Sequence, residues 1–187
     1  GSAATLDAAI TAHAGHGLAS ADISRLAAYM RELGGDEGAA PAPLSSGAGL
    51  RGSYFENLTL AGTPALTRIE SVNFNWGSGR PSIGVRSDNF SVRWSGTITV
   101  PAGGNYRSQT YTSDGVRLWV NGSQVINAWD RGSGTRTSAT VALAAGQRVP
   151  VVLEYFDRNG RAYAQLRWLL PGAPSYLPIA ASSLNAD

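Results

Sequence analysis

The sequence contains no cysteine and no lysine, and only two histidines. Without cysteine there is no disulfide framework, thiolate metal site, cysteine nucleophile or covalent haem attachment. Without lysine, all fifteen basic residues are arginines. They are scattered rather than run together, and the formal net charge is only +2. No nucleic-acid groove is therefore expected. No apolar run approaches the ~20 residues of a membrane span, so no membrane insertion is expected. Both histidines, His13 and His16, fall near the N-terminus. His13 shares a helical face with Leu6 and Ile10 and reads as packed or capping.

Glycine is plentiful, at 23 of 187 residues, as turn-rich β proteins require. Residues 1–35 read as a helical segment, with two short helices over 3–35. Ser20 is placed to cap the second helix. Ile23, Leu26, Ala27, Met30 and Leu33 recur there at helical spacing. A pair this small cannot bury its own stripe, so it is expected to pack on another surface; the segment is taken as the tail of an upstream domain. Gly1-Ser2 has the look of a cloning remnant. Residues 36–47, rich in Ala, Pro, Gly and Ser, read as a linker.

From residue 48 to 187 the period changes from 3.6 to 2. Phe90, Val92, Trp94, Ile98 and Val100 share one face, while Ser91, Arg93, Ser95, Thr97 and Thr99 share the other. This predicts a half-buried strand, or two strands in line. Val116, Leu118 and Val120 repeat the pattern, which places Trp119 on the opposite face. Asn121-Gly122 is a strong two-residue hairpin signal. Further strands are expected around Val141, over 148–156 and over 162–170. Pro150 is expected at an edge or a bulge, since it has no N–H for a ladder. The fold class is an all-β antiparallel sandwich or barrel with a small N-terminal two-helix appendage.

The β region advertises no catalysis. It has no histidine, and its acids (Glu56, Glu70, Asp88, Asp114, Asp130, Glu154, Asp157 and Asp187) are nowhere adjacent in sequence. A glycosidase needs two flanking carboxylates, and a serine nucleophile needs a base. There is no phosphate loop or dinucleotide fingerprint. The domain is expected not to be an enzyme.

A run of motifs carries a resemblance. Gly49-Leu-Arg-Gly-Ser-Tyr-Phe55, Asn73-Phe-Asn-Trp-Gly77, Phe90-Ser-Val-Arg-Trp-Ser-Gly96 and Gly104-Asn-Tyr106 come first. Ser113-Asp-Gly-Val-Arg-Leu-Trp-Val120, Gly122 through Trp129, Leu153-Glu-Tyr-Phe156 and Leu166-Arg-Trp168 follow. In this order they resemble the anthrax protective-antigen-type ("PA fourteen") lectin-like domain, over about residues 48–184. The resemblance implies a secreted, non-catalytic carbohydrate-binding module. It also implies a calcium ion held by two consecutive aspartates joined by a cis peptide, with a later asparagine. Calcium suits that role because it accepts carboxylate, carbonyl and hydroxyl oxygens with loose geometry. Here Asp114 matches the second aspartate, and Ser113 replaces the first. Asn159, in Phe156-Asp-Arg-Asn-Gly-Arg161, is the candidate later ligand, and Asp157 in the same loop is placed to restore the missing charge.

The expected metal ligands are therefore Asp114, Asn159 and Asp157. The expected sugar-binding residues are Asp114, Trp129, Asp157, Arg158 and Asn159. Trp129 precedes the loop Asp130-Arg-Gly-Ser-Gly134 and offers a ring on which a pyranose can stack. Each residue also has a plainer reading. Asp114 before Gly115 fits a turn whose carboxylate bonds its own backbone, Asp157 to Gly160 fits a hairpin tip, and Trp129 fits cover for a sheet edge. The expected partner is a polysaccharide or glycan, the expected state a monomer, and the expected location extracellular or periplasmic. The competing reading is a structural or protein-interaction domain of the same fold with no sugar site. Residues 3–35 more weakly resemble the tail of a c-type cytochrome domain. With no Cys-x-x-Cys-His, the segment is expected to bind no haem, and the parent would be a larger secreted redox protein.

Overall fold

The computed structural model describes residues 48–186. The helices expected over 3–35, the linker over 36–47, both histidines and Asp187 lie outside the described residues. The chain divides into two units, 1–44 and 45–187, and the described residues belong to the second.

In chain order the strands are β1 (Leu50–Phe55), β2 (Leu66–Glu70), β3 (Asn73–Gly77), β4 (Phe90–Thr99), β5 (Gly104–Thr112), β6 (Val116–Val120) and β7 (Ser123–Ala128). Then come β8 (Gly134–Thr137), β9 (Val141–Leu143), β10 (Arg148–Asp157), β11 (Ala162–Leu169), β12 (Leu177–Pro178) and β13 (Leu184–Asn185). Among the described residues the one helical element is a 3-10 turn at Ala181–Ser183. One sheet runs β2-β1-β4-β10-β6-β7, with β13 on β4; the other runs β12-β11-β5-β8, with β3 on β11 and β9 on β5. Every pairing is antiparallel. The fold is thus a two-sheet antiparallel sandwich.

The alternation read from the sequence is the pleat of β4. Phe90, Val92 and Trp94 are fully buried, as are Leu118 and Leu153, and Val116 is 1% exposed. β4 is one strand of ten residues, not two in line. Aromatic rings from both sheets meet in the middle. Phe74 and Trp76 of β3 stack at 4.8 Å, Phe74 lies 6.1 Å from Trp94, and Tyr155 lies 6.0 Å from Phe90. Such offset and edge-on pairs add to the burial of the rings.

A nearly buried charge sits at the edge of the core. Glu70 Oε1 accepts from Tyr54 OH at 2.5 Å and from Trp94 Nε1 at 2.7 Å, and Arg68 Nε donates to Oε2. The carboxylate is thereby satisfied, as a buried charge must be. The Asn121-Gly122 hairpin forms between β6 and β7, with φ of 52° and 75° at the two turn residues.

Pro150 departs from expectation. It sits in β10, a central strand, opposite Thr97 of β4. The ladder to β6 starts only at Val151↔Val120. The Pro150 carbonyl accepts the Asn121 N–H, and a strand residue's N–H and C=O point the same way. The missing N–H therefore faces a turn where β6 has already ended, and no ladder bond is lost.

Candidate functional site

Four loops converge at one end of the sandwich. They are the β5–β6 connection with Ser113 and Asp114, the β7–β8 connection from Trp129, the β10–β11 turn 158–161, and the segment before β4 ending at Asp88-Asn89. Hydrogen bonds link three of them. The Asn89 N–H donates to the Arg158 carbonyl at 3.2 Å, and the Gly160 N–H donates to Asp88 Oδ1 at 2.8 Å. The Arg158 N–H donates to the Asp114 carboxylate.

Two carboxylates face each other beneath these loops. Asp157 is the last residue of β10 and is fully buried, not at the exposed tip expected from its loop-like sequence. β10 runs one residue further than the sequence indicated because Asp157 still pairs with Phe90 of β4. Full burial removes Asp157 from the residues able to touch a sugar. Its Oδ1 accepts from Tyr155 OH at 3.3 Å, while Oδ2 is buried with no hydrogen-bond donor. The Asp114 carboxyl lies close enough to share a proton with it. Burial, the Asp114 charge and the Asp88 charge push the Asp157 carboxyl up to about 6, against the hydrogen bond from Tyr155. Burial also raises Asp114, against the Arg158 N–H and guanidinium.

Ser113 is committed elsewhere. Its Oγ lies 2.8 Å from Tyr155 OH and accepts the Tyr163 N–H at 3.2 Å. The Ser113–Asp114 peptide is trans, unlike the pair the resemblance implied. Among the described residues no group of three or more His, Cys, Asp or Glu side chains is arranged to hold a metal. What the geometry offers a cation is the Asp114–Asp157 pair and its unpartnered oxygen.

Above the pair lies a shallow pocket of about 90 Å³, lined by Asp114, Trp129, Asp130, Arg131, Gly132, Phe156 and Arg158. It brings together three residues singled out from the sequence: Asp114, Trp129 and Arg158. Asn159 is exposed in the adjoining turn and does not line this pocket. Trp129 packs edge-on to Phe156 at 4.8 Å. The Arg117 guanidinium covers its ring at 4.0 Å. Arg117 is itself held by Glu154, with Nη2 to Oε2 at 2.6 Å, and Arg93 grips the other oxygen at 2.8 Å. Gly115 is obligatory here, since a Cβ would strike the Phe156 ring and the Trp129 carbonyl.

Sequence reasoning missed Asp88, Tyr155, Phe156 and Arg117 at this site. Asp88 arrives from a segment with no periodic pattern, and the others follow strand phase, which marks a face but not an end. A larger open cleft of about 590 Å³, lined by Glu56, Arg80, Val85, Arg86 and Asp88 among others, also includes Asp88. Neither Asp114 nor Asp157 lines it.

Comparison with known proteins fits this architecture. Anti-sigma-I factor RsgI3 of Acetivibrio thermocellus is 35% identical over 123 residues, 66% of this chain but 19% of that protein. The chain thus spans about a fifth of the length of this curated relative. A solved anti-sigma factor domain-containing protein from Clostridium clariflavum superposes with a TM-score of 0.71 at 31% identity, over 81% of this chain and 52% of that one. A structure described as a PA14 sugar-binding domain from an RTX adhesin shares the fold, with a TM-score of 0.60 at 20% identity, over 74% of this chain and 98% of that one. Residues 46–181 match the PA14 domain as a family, and the chain belongs to it.

Proposed function

We propose that this domain is a non-catalytic carbohydrate-binding module of an extracellular or periplasmic protein, using the pocket over Asp114 with help from calcium. The observation that carries this reading is the facing Asp114–Asp157 pair with its unpartnered buried oxygen. Two carboxylates with no donor between them need a proton or a cation. Asp114 and Asp157 would hold the ion, with Asn159 and neutral oxygens of the same loops available to complete a loose oxygen shell. Bound calcium would supply a positive centre for sugar hydroxyls. Arg158 would donate to hydroxyls beside it, and Trp129 would present an apolar ring edge or face to the pyranose. With one of the two family aspartates replaced by Ser113, calcium affinity is expected in the weak range of about 10⁻⁴–10⁻³ M.

The commitment of Ser113 Oγ to Tyr155 and Tyr163 favours a second reading, a structural or protein-interaction domain with no sugar site. Titration calorimetry and a broad glycan array, run with calcium and then with chelator, separate the two. Calcium-dependent glycan binding that disappears in Asp114→Asn supports the first. Glycan binding undiminished by chelator removes the metal from the mechanism. No glycan binding in either condition supports the second.

A further inference from the structure

The six-stranded sheet turns its outer face away from the core, and its composition is lopsided. None of β3, β5, β8, β9, β11 and β12 contains an aspartate or glutamate. The outward positions of the central strands carry amides, arginines and tyrosines instead. Tyr111 and Tyr163 stack at 4.6 Å with 26° between the rings, and Tyr111 is 38% exposed. With Asn75, Arg161 and Gln165 they line a hollow of about 290 Å³. The Arg167 guanidinium lies 5.8 Å from the Tyr111 ring and donates through Nη2 to Gln165 Oε1. Its Nε is buried with no acceptor. Arg161 is exposed, and no described ion pair involves Arg161 or Arg167.

We propose that this sheet face is a second ligand site, for a uronate-bearing polysaccharide, distinct from the pocket over Asp114. Stacked phenol rings match the apolar C–H face of a pyranose. Asn75 and Gln165 offer both donors and acceptors to ring hydroxyls. Two arginines without acidic partners select a carboxylate, which a guanidinium grips in a fork. A neutral sugar would leave that charge unanswered. A protein partner would call for an apolar centre, whereas the amides Asn75, Gln109 and Gln165 lie around the tyrosine pair and the exposed Leu177 lies on the outer strand β12. The hollow adjoins the end pocket through the 158–161 turn but shares no lining residue with it, and the proposal does not depend on calcium.

The test uses the full chain in chelator, which silences the calcium-dependent pocket. Calorimetry compares polygalacturonate with neutral galactan, and polymannuronate with neutral mannan. At least one uronate polymer is expected to bind more tightly than its neutral counterpart, and more weakly as salt rises. Arg161→Gln with Arg167→Gln is expected to lower that affinity by about tenfold or more. Tyr163→Ala is expected to weaken it as well, with the melting temperature as the control for folding. Arg80→Gln, in the separate cleft beside Val85, is expected to change nothing. The proposal is overturned if neither uronate polymer outbinds its neutral partner, or if the double arginine variant binds as the wild type does. Loss in Asp114→Asn would instead locate the binding at the end pocket. Tighter binding of single-stranded nucleic acid with the same arginine dependence would replace the uronate as the ligand.

Discussion

At the scale of single residues, Asp157 governs how the metal-free protein responds to pH. Its folded carboxyl titrates at about 6, above an ordinary aspartate, so the folded state holds a proton that the unfolded state has released. The folded state binds more protons between about pH 4 and 6, and stability therefore falls as pH rises through that window. Above it the cost is constant, on the order of 2–3 kcal/mol. Asp157→Asn is expected to raise the urea midpoint at pH 7 in chelator and to flatten this pH dependence. Urea melts from pH 4 to 7.5 test it, and a variant less stable than wild type at pH 7 would contradict it. Gly115 makes the opposite case. Gly115→Ala is expected to cost about 1–3 kcal/mol by overpacking and to shift the fluorescence of Trp129, because the new methyl group must displace Phe156 or the Trp129 backbone. An unchanged melt and spectrum would show that the loop absorbs the methyl group freely.

At the scale of strands and their pairings, one row of side chains crosses the outer face of the seven-stranded sheet. Arg93, Glu154 and Arg117 stand opposite one another on β4, β10 and β6, and the row ends with Arg117 over Trp129. Glu154→Gln is expected to loosen Arg117 and weaken the proposed glycan binding at the pocket by a few-fold, with the core intact; calorimetry and the melting temperature read the two effects separately. Glu70→Ala should instead strike the core. It leaves the Trp94 N–H, Tyr54 OH and Arg68 without their shared acceptor, and about 3–5 kcal/mol of stability should be lost. A denaturant midpoint close to wild type would contradict this.

The same elements show what was legible in the sequence. Period-2 alternation identified the buried faces of β4 and β6, strands were expected where β10 and β11 form, and Asn121-Gly122 identified a hairpin. Alternation reports which face a residue takes, not which distant strand lies beside it. The Arg93–Glu154–Arg117 row and the acid-free sheet are products of strand order, and pattern alone does not encode strand order. Asp157 was misplaced because Asp-Arg-Asn-Gly reads as turn chemistry from its first residue, whereas the pairing with Phe90 holds that residue in the strand. Asp114 was found through the family motif it matches, Trp129 through the loop that follows it, and Arg158 through the turn it shares with Asn159; their meeting at one end of the fold was not legible.

At the scale of the whole molecule, the pairings join segments far apart in sequence. Leu184 and Asn185 pair with Ile98 and Thr97 of β4, and Ala48 bridges Asn185. Leu184 is 1% exposed and Ile98 6%. Removing residues 184–187 is expected to cost about 2–5 kcal/mol, the range for emptying one large apolar site; equilibrium unfolding in urea measures it, and an unaltered midpoint would show β13 to be ornamental. A topology this non-local is expected to refold in milliseconds to seconds, which stopped-flow fluorescence of the buried Trp94 would follow. The place where β13 docks has a mechanical consequence. Ala48 and Asn185 meet at the Thr97–Ile98 end of β4, while the acid pair and its pocket sit at the Phe90 end, about 26 Å away along the strand. A tug between a captured surface and a tether at either end of the domain would run lengthwise down β4. Its ten paired positions with β10 would then bear the load together in shear. A tug that separates Ala48 from Asn185 would peel those ends one bond at a time, so the domain should hold far better as an anchor than as a link.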